Sequence, residues 1–240
     1  MNYALIFAGG VGRRMNSRAK PKQFLEIHGK PILIHTLEHF EMHPAIDAIC
    51  LVIVADWLDY TRQLTERFGI TKLRWIVPGG ASAMESQRIG LETIRAAEGS
   101  SPDDIVLIHD GVRPLINATL ISDCIESVKA QGSAITVAPA TETILRADEN
   151  GELDSIPRSE CLLARAPQAF PLQTILNAHR RAQEEGKSDF IDSVTLMLHY
   201  DYPLHTVEGP AENLKVTTPA DFYVCRALLD ARENSQLYGL

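Results

Sequence analysis

Across its 240 residues the chain has no apolar run long enough to cross a membrane. The longest, AICLVIVA over Ala48 to Ala55, has the length of a strand. Cysteine is sparse: Cys50, Cys124, Cys161 and Cys225 lie far apart, with no C-x-x-C pair. That spacing fits small apolar fillers in a reducing compartment and gives no support to a zinc site or a disulfide framework. An excess of basic residues is also missing, since 23 Lys and Arg face 31 Asp and Glu for a net charge of −8. The balance excludes a general nucleic-acid binder, so cations gathered at one place serve a local anionic ligand. No basic n-region or cleavage site precedes the first strand, which predicts a cytoplasmic protein. Neither G-x-x-x-x-G-K-[ST] nor G-x-S-x-G occurs, so a P-loop and an acyl-transfer elbow have no support.

What is present is alternation. Tyr3 to Ala8, Ala48 to Ala55, Leu73 to Val77, Asp104 to Asp110 and Ser133 to Pro139 are short, β-branched and nearly uninterrupted, as strands buried on both faces are. Helical stretches separate them. Pro31 to His43 opens on proline, Ala83 to Glu98 follows a serine, and a third follows Asn117 as N-cap and closes on Gly132. This spacing predicts an α/β fold: a Rossmann-like, doubly wound, mainly parallel sheet with helices on both faces, in one domain over 1–240. Beyond Pro139 the period changes to two around Asn150-Gly151, the mark of a β-hairpin. A hairpin there has little core of its own, so an arm over 140–170 is expected to pack on another subunit. Helices resume over Pro171 to Lys187 and Phe190 to Tyr200. Strands are expected near LHTVEG and NLKV, and a last helix from TPAD.

Ligands in such folds bind at the carboxyl ends of strands, where LIFAGGVGRRMNSRAKPKQFL, VPGGAS and HDGVRP all fall. In the first of these, two glycines are followed by five basic residues, Arg13, Arg14, Arg18, Lys20 and Lys22. Glycine lets backbone N–H groups crowd a ligand, and the cations call for an anion. A dinucleotide fingerprint does not fit, because Arg14 and Met15 stand where a third glycine belongs and Asp56 comes too late for the ribose contact. Cationic side chains suit a triphosphate whose pyrophosphate departs, since negative charge accumulates there.

The blocks AGGVGRRM…KPKQFL, HDGVRP, APQAF and VEGPAENLKVTTPADF resemble the signature segments of polyol-phosphate cytidylyltransferases, in family order and over Ala4 to Phe222. The family includes a ribitol-5-phosphate branch and a 2-C-methyl-D-erythritol 4-phosphate branch serving isoprenoid synthesis. The resemblance implies a Rossmann-like fold, CTP and a sugar-alcohol phosphate as substrates, Mg²⁺, and a homodimer in which an exchanged β-arm completes each site. It implies that Arg14 and Lys22 grip the triphosphate and Lys215 faces the α-phosphate. Backbone at Ala8, Gly9, Gly10 and Gly12 would line the nucleotide, with Gly80 and Ser86 near cytosine and ribose. Asp110 would hold Mg²⁺ directly or through water, and Arg113 would shape the site. Thr143 and Arg158 match arm positions that contact the polyol phosphate across the dimer, and Asp192 falls near the substrate.

The chain departs from the family in three places. Ala83 replaces an arginine in the segment after the third strand, Ala166-Pro167-Gln168 replaces Thr-Pro-Gln, and Ile191 replaces a threonine before Asp192. The triphosphate machinery is intact while the alcohol pocket is altered, so a differently hydroxylated polyol is expected. KPILIHTLEHF, VADWLDY and SPDDIVLIHD look more like the ribitol-phosphate branch. Each assignment has a structural rival: Lys215 as a snorkelling strand residue, Asp110 as a loop cap, Arg158 as an exposed arm charge, Ser86 as a helix-start residue, Arg13 as a solvent-facing neighbour. Two rivals from other classes also stand. His35 to His39 fits H-x-x-E-H and, with His43, sets three histidines on one helical face as a zinc peptidase would. The three departures would also suit a non-catalytic nucleotide-binding module.

Overall fold

The uninterrupted apolar runs form strands because each face of the sheet meets helices. In the computed structural model, which describes residues 1–9 and 20–238, β1 (Asn2–Ala8) is followed by a small antiparallel pair, β2 (Glu26–Ile27) and β3 (Lys30–Pro31), and by α1 (Ile32–Met42). Then come β4 (Ala48–Ile53), α2 (Leu58–Arg67), β5 (Leu73–Pro78), α3 (Ala83–Arg95), β6 (Ile105–Asp110), α4 (Ala118–Gln131) and β7 (Ala134–Pro139). The hairpin β8 (Ile144–Ala147) and β9 (Leu153–Ile156) precedes β10 (Leu162–Pro171), α5 (Leu172–Glu184), α6 (Ser193–His199), β11 (Thr206–Glu208) and α7 (Pro219–Tyr238). The main sheet has seven strands in the order β11-β7-β10-β6-β1-β4-β5. All its pairings are parallel except those of β10, which runs antiparallel to both β6 and β7.

The pleat divides the core in two. Ala4, Ile6 and Ala8 of β1 face a cluster with Leu33, Leu37 and Phe40 of α1 and Ile121, Cys124 and Ile125 of α4. Tyr3 and Leu5 face the opposite cluster, with Leu91 and Ile94 of α3, Ile175 and Leu176 of α5, and Leu196 of α6. Successive strand residues point to opposite faces, so every residue of β4 and β6 is buried. Cys50, Cys124 and Cys225 are buried as small apolar fillers, whereas Cys161 is half-buried. A third, smaller cluster pins α7, through Cys225, to Ile27, Ile32, Val112, Leu115 and Val216.

Helix ends follow their signals. The Ser82 hydroxyl accepts from Glu85 N, the Asn117 side chain accepts from Leu120 N, and α4 stops at Gly132 in the left-handed region, φ 83°. The hairpin forms where the period-two pattern lies, with Gly151 at φ 84° and Asp148 Oδ1 accepting from Asn150 N and Glu152 N. It pairs Ile144 with Ile156 and Ala147 with Leu153, and leaves Leu145 and Leu153 56% and 67% exposed.

Three elements differ from the sequence reading. The span 140–170 is part arm and part sheet, because β10 carries the chain back into the middle of the sheet. Pro167 and Pro171 mask it as a strand, and the register shifts between Ala164 and Gln168, around Pro167. α2 was not anticipated; Trp57 at its N-cap makes no side-chain cap hydrogen bond, so the usual start signal is missing. The NLKV segment, Asn213–Val216, is a loop held by the amide of Val216, which donates to Val112 O at 3.0 Å. Among the described residues no helix is long and apolar enough to cross a membrane.

Candidate active site

The parallel register sets the ends of β1 and β6 side by side, Phe7 opposite Asp110, so both strands open at one rim. A cleft of ≈ 320 Å³ lies there, lined by Ala8 and Gly9, by Lys22 and Gln23, by Gly80 to Ala83 and Ser86, and by Asp110, Val112 and Lys215. A second cleft of ≈ 210 Å³ adjoins it and shares Phe7, Ala83, Asp110 and Lys215. Its own walls bring Arg113, Arg165, Ala166, Gln168, Ile191 and Asp192.

The shared wall holds the charges. Asp110 is buried, yet its Oδ1 meets Lys215 Nζ at 2.5 Å and its Oδ2 accepts from Arg113 Nε at 2.7 Å. Burial pushes this carboxyl up, but the adjacent Lys215 ammonium and Arg113 guanidinium more than offset that and hold it below the usual carboxylate range. Lys215 itself keeps a side chain 40% exposed, so its ammonium sits between the buried carboxylate and the open cleft. Lys22 Nζ donates to Val216 O at 3.0 Å, across 194 positions of sequence. Cations from opposite ends of the chain thus converge on one opening. Behind them His109 is fully buried, and its Nε2 lies 3.1 Å from Arg113 O. A carbonyl only accepts, so Nε2 carries the proton, and Nδ1, without a partner among the described residues, is the unprotonated nitrogen. Burial pushes its pKa down to about 3.

The glycine segment after β5 is rigid. Ser86 Oγ accepts from Gly80 N at 3.1 Å and donates to Ser82 O at 2.9 Å, while Ala81 N donates to Glu85 Oε2 at 2.7 Å. A Cβ on Gly80 would come within 2.3 Å of Glu85 Cγ, so a larger residue there would displace the Glu85 side chain and its bond from Ala81 N. Ser86 is therefore a brace at the cleft wall with its hydroxyl already engaged.

The placement of the remaining residues is mixed. Ala8, Gly9, Lys22, Gly80, Ser86, Asp110 and Lys215 meet in the first cleft, and Arg113 and Asp192 in the second. Gly10, Gly12 and Arg14 lie outside the described residues. Asp192 caps α6, its Oδ1 accepting from Thr195 N and its Oδ2 from Gln168 Nε2 at 3.0 Å. Thr143 and Arg158 line neither cleft; both are exposed on the arm, where Arg158 Nη1 donates to Thr141 O. Lys215 is not a strand residue, and Asp110 does not cap its loop by itself but neutralises two cations. The H-x-x-E-H residues do not form a metal site: His35, His39 and His43 direct Nε2 to three different carbonyls, of Ile27, Pro114 and Ala118. No group of three or more metal-ligating side chains occurs among the described residues.

Sequence reasoning passed over Gln23, which is buried and donates from Nε2 to Ala8 O at 2.8 Å, tying the PKQF segment to the end of β1. Its presence inside a charged block was the available signal. Arg165 was passed over too, because it precedes the APQAF block.

Residues 3–231 match the family model described as IspD, 2-C-methyl-D-erythritol 4-phosphate cytidylyltransferase. The chain belongs to this cytidylyltransferase family. Within it, the chain is 52% identical to the ribitol-5-phosphate cytidylyltransferase of Streptococcus agalactiae serotype V over the full length of both. It is 48% identical to the protein of that name in Vibrio parahaemolyticus, again over all of both chains. Among solved structures, 4-diphosphocytidyl-2C-methyl-D-erythritol synthase of Anaerococcus prevotii superposes with a TM-score of 0.81 at 28% identity, covering 95% of this chain and 96% of that one. As an enzyme of the cytidylyltransferase family the chain is a nucleotidyltransferase, and a purely non-catalytic module no longer fits.

Proposed function

We propose that the protein transfers CMP from CTP to D-ribitol 5-phosphate, releasing pyrophosphate and forming a CDP-alcohol, as the names of its relatives describe for them. The observation that carries this reading is the pair of clefts with one shared wall, Asp110 and Lys215, which suits two phosphorylated substrates meeting there.

CTP would occupy the first cleft, its triphosphate against Lys22 and the Ala8–Gly9 backbone, with Arg14 of the glycine turn as a further cation. The base would lie toward Gly80 and Ser86. The acceptor's phosphate would lie in the second cleft. One of its oxygens attacks the α-phosphorus of CTP, a new P–O bond forms, the α–β bridging P–O bond breaks, and its electron pair leaves with pyrophosphate. No proton transfer is required, so positioning and charge neutralisation supply the rate. Lys215 is held by Asp110 until a phosphate competes for it, and would then meet charge developing at the α-phosphate.

Mg²⁺ would be held at Asp110 through water, or directly once Lys215 turns to a phosphate, since both carboxylate oxygens are otherwise engaged. Asp110 is one ionised carboxylate at the cleft, and Mg²⁺ is commonly held by one or two carboxylates with substrate phosphates and water. Bound there, the ion would offset charge on the departing pyrophosphate. A homodimer is supported by the exposed Leu145 and Leu153 on an arm with little core of its own. Thr143 and Arg158 would then reach the partner's acceptor cleft. We expect Arg158→Ala to raise KM for the acceptor roughly tenfold while leaving KM for CTP within about twofold. An unchanged acceptor KM would count against the shared arm. Soluble cytoplasmic residence follows from the same reading.

A second reading, with 2-C-methyl-D-erythritol 4-phosphate as acceptor, draws on the family's description. Ala166 and Ile191 argue against it, since two hydroxyls expected near that acceptor are absent. Pyrophosphate release with CTP and ribitol, tetritol or methylerythritol phosphates decides between them. The pentitol phosphate is expected to give the highest kcat/KM, and release with methylerythritol phosphate alone overturns the proposal.

A further inference from the structure

Arg165 lies on β10 just before the register shift and lines the acceptor cleft. Its Nη1 donates to Pro210 O, Ala211 O and Asn213 O at 3.2, 2.8 and 3.1 Å. The Nη1 of Arg113 donates to the same carbonyl of Asn213 at 3.0 Å. Two guanidinium groups therefore flank one oxygen, partly buried, at the wall that also holds Lys215.

The two differ in charge balance. Arg113 has Asp110 at 2.7 Å. Arg165 makes no ion pair with any described residue, and its Nε and Nη2 donate to none. The neighbouring carboxylates are engaged elsewhere: Glu212 holds Arg232 at 2.9 Å, Asp192 accepts from Gln168 and Thr195, and Asp110 holds Arg113 and Lys215. Burial, and then the neighbouring Arg113, disfavour the charged form of Arg165. Only one of these two neighbouring cations has a carboxylate beside it, so holding them together is costly, and a phosphate between them would relieve the repulsion while taking the planar fork in a bidentate grip.

From this geometry we propose that Arg165 binds the phosphate of the acceptor from within the same subunit, beside Arg113, and so sets the affinity for the sugar-alcohol phosphate. The inference rests on the reaction proposed above. It goes beyond the arm contacts, because it gives each subunit its own phosphate clamp independent of the partner.

The rival is structural: the three carbonyl bonds would merely staple β10 to the loop that carries Lys215. A staple lost would displace Lys215 and lower kcat with both substrates alike. A clamp lost raises KM for the acceptor alone. The test is steady-state pyrophosphate release by Arg165→Gln and Arg165→Lys, using whichever sugar-alcohol phosphate the wild type accepts best. We expect Arg165→Gln to raise acceptor KM on the order of 10- to 100-fold, with KM for CTP within about twofold. Arg165→Lys keeps the charge and one donor, so it should fold even if the glutamine variant does not, with an acceptor KM raised severalfold. Inorganic phosphate, as a competitor against the acceptor, should weaken by a similar factor, which separates the phosphate from the polyol hydroxyls. An unchanged acceptor KM, or a parallel loss for both substrates, overturns the clamp. A wild type that releases pyrophosphate with methylerythritol phosphate alone overturns the ribitol assignment, and leaves the Arg165 result to be read with that acceptor.

Discussion

The two clefts are built from different materials. The first is walled by strand ends and by hydrogen bonds already made: Gln23 to Ala8, Ser86 to Gly80, Ala81 to Glu85. The second is walled by side chains from β10 and the start of α6, among them an 84% exposed Ile191 and a guanidinium with open donors. On the proposed assignment of the clefts, a nucleotide site made of committed backbone tolerates little change, whereas an acceptor site made of side chains can be retuned one residue at a time. That contrast accounts for departures at Ala166 and Ile191 beside an intact HDGVRP and PKQF, while the third departure, Ala83, lies on the wall common to both clefts.

The contrast can be broken most severely at the shared wall. Lys215→Ala should lower turnover by roughly 10²-fold or more, because it removes charge that meets the reacting phosphate. Near wild-type pyrophosphate release would mean that the wall is only structural. The acceptor side should respond in kind rather than in amount. Ala166→Thr with Ile191→Thr restores two hydroxyls, and should shift the ratio of kcat/KM between ribitol and methylerythritol phosphates toward the latter by roughly tenfold. KM for CTP should hold, and an unchanged ratio would place specificity elsewhere. A separate effect, away from the clefts' chemistry, is on stability. His109 and His179 are buried with pKa pushed down to about 3 and about 4, against 6.5 for free imidazole. The folded state refuses protons that the unfolded chain accepts, so stability is full above pH 6.5 and declines as pH falls toward those values. Thermal unfolding between pH 7 and about 4 should show this loss, and His109→Asn should flatten it.

Where the sequence was legible, one element decided its own state. Buried strands such as β4 and β6 announce themselves because both faces are apolar, and α3 and α4 carry side-chain caps. β10 was hidden because its prolines speak against a central strand, and only pairing with β6 and β7 on either side overrides them. α2 was hidden by a missing cap. At the site, Lys22, Asp110 and Lys215 stood in recognisable blocks, but their meeting was not legible, because it depends on the loop contacts of Val216 with Val112 and Lys22 beside the end of β6. The role of Arg165 was illegible for a different reason: it depends on carbonyls of Pro210, Ala211 and Asn213, some 45 positions away.

Val216 gives this design a temporal side. Its carbonyl takes the ammonium of Lys22 and its amide donates to Val112 O, so on the proposed reading the grip on the triphosphate closes only when about nine-tenths of the polypeptide has been made. During synthesis the sheet can assemble around β1, β4 and β6 while the enzyme still lacks a working mouth. Nucleotide, once bound, would then act as a late fastener between the two ends of the chain, shielding the C-terminal segment from proteases that the empty protein would meet.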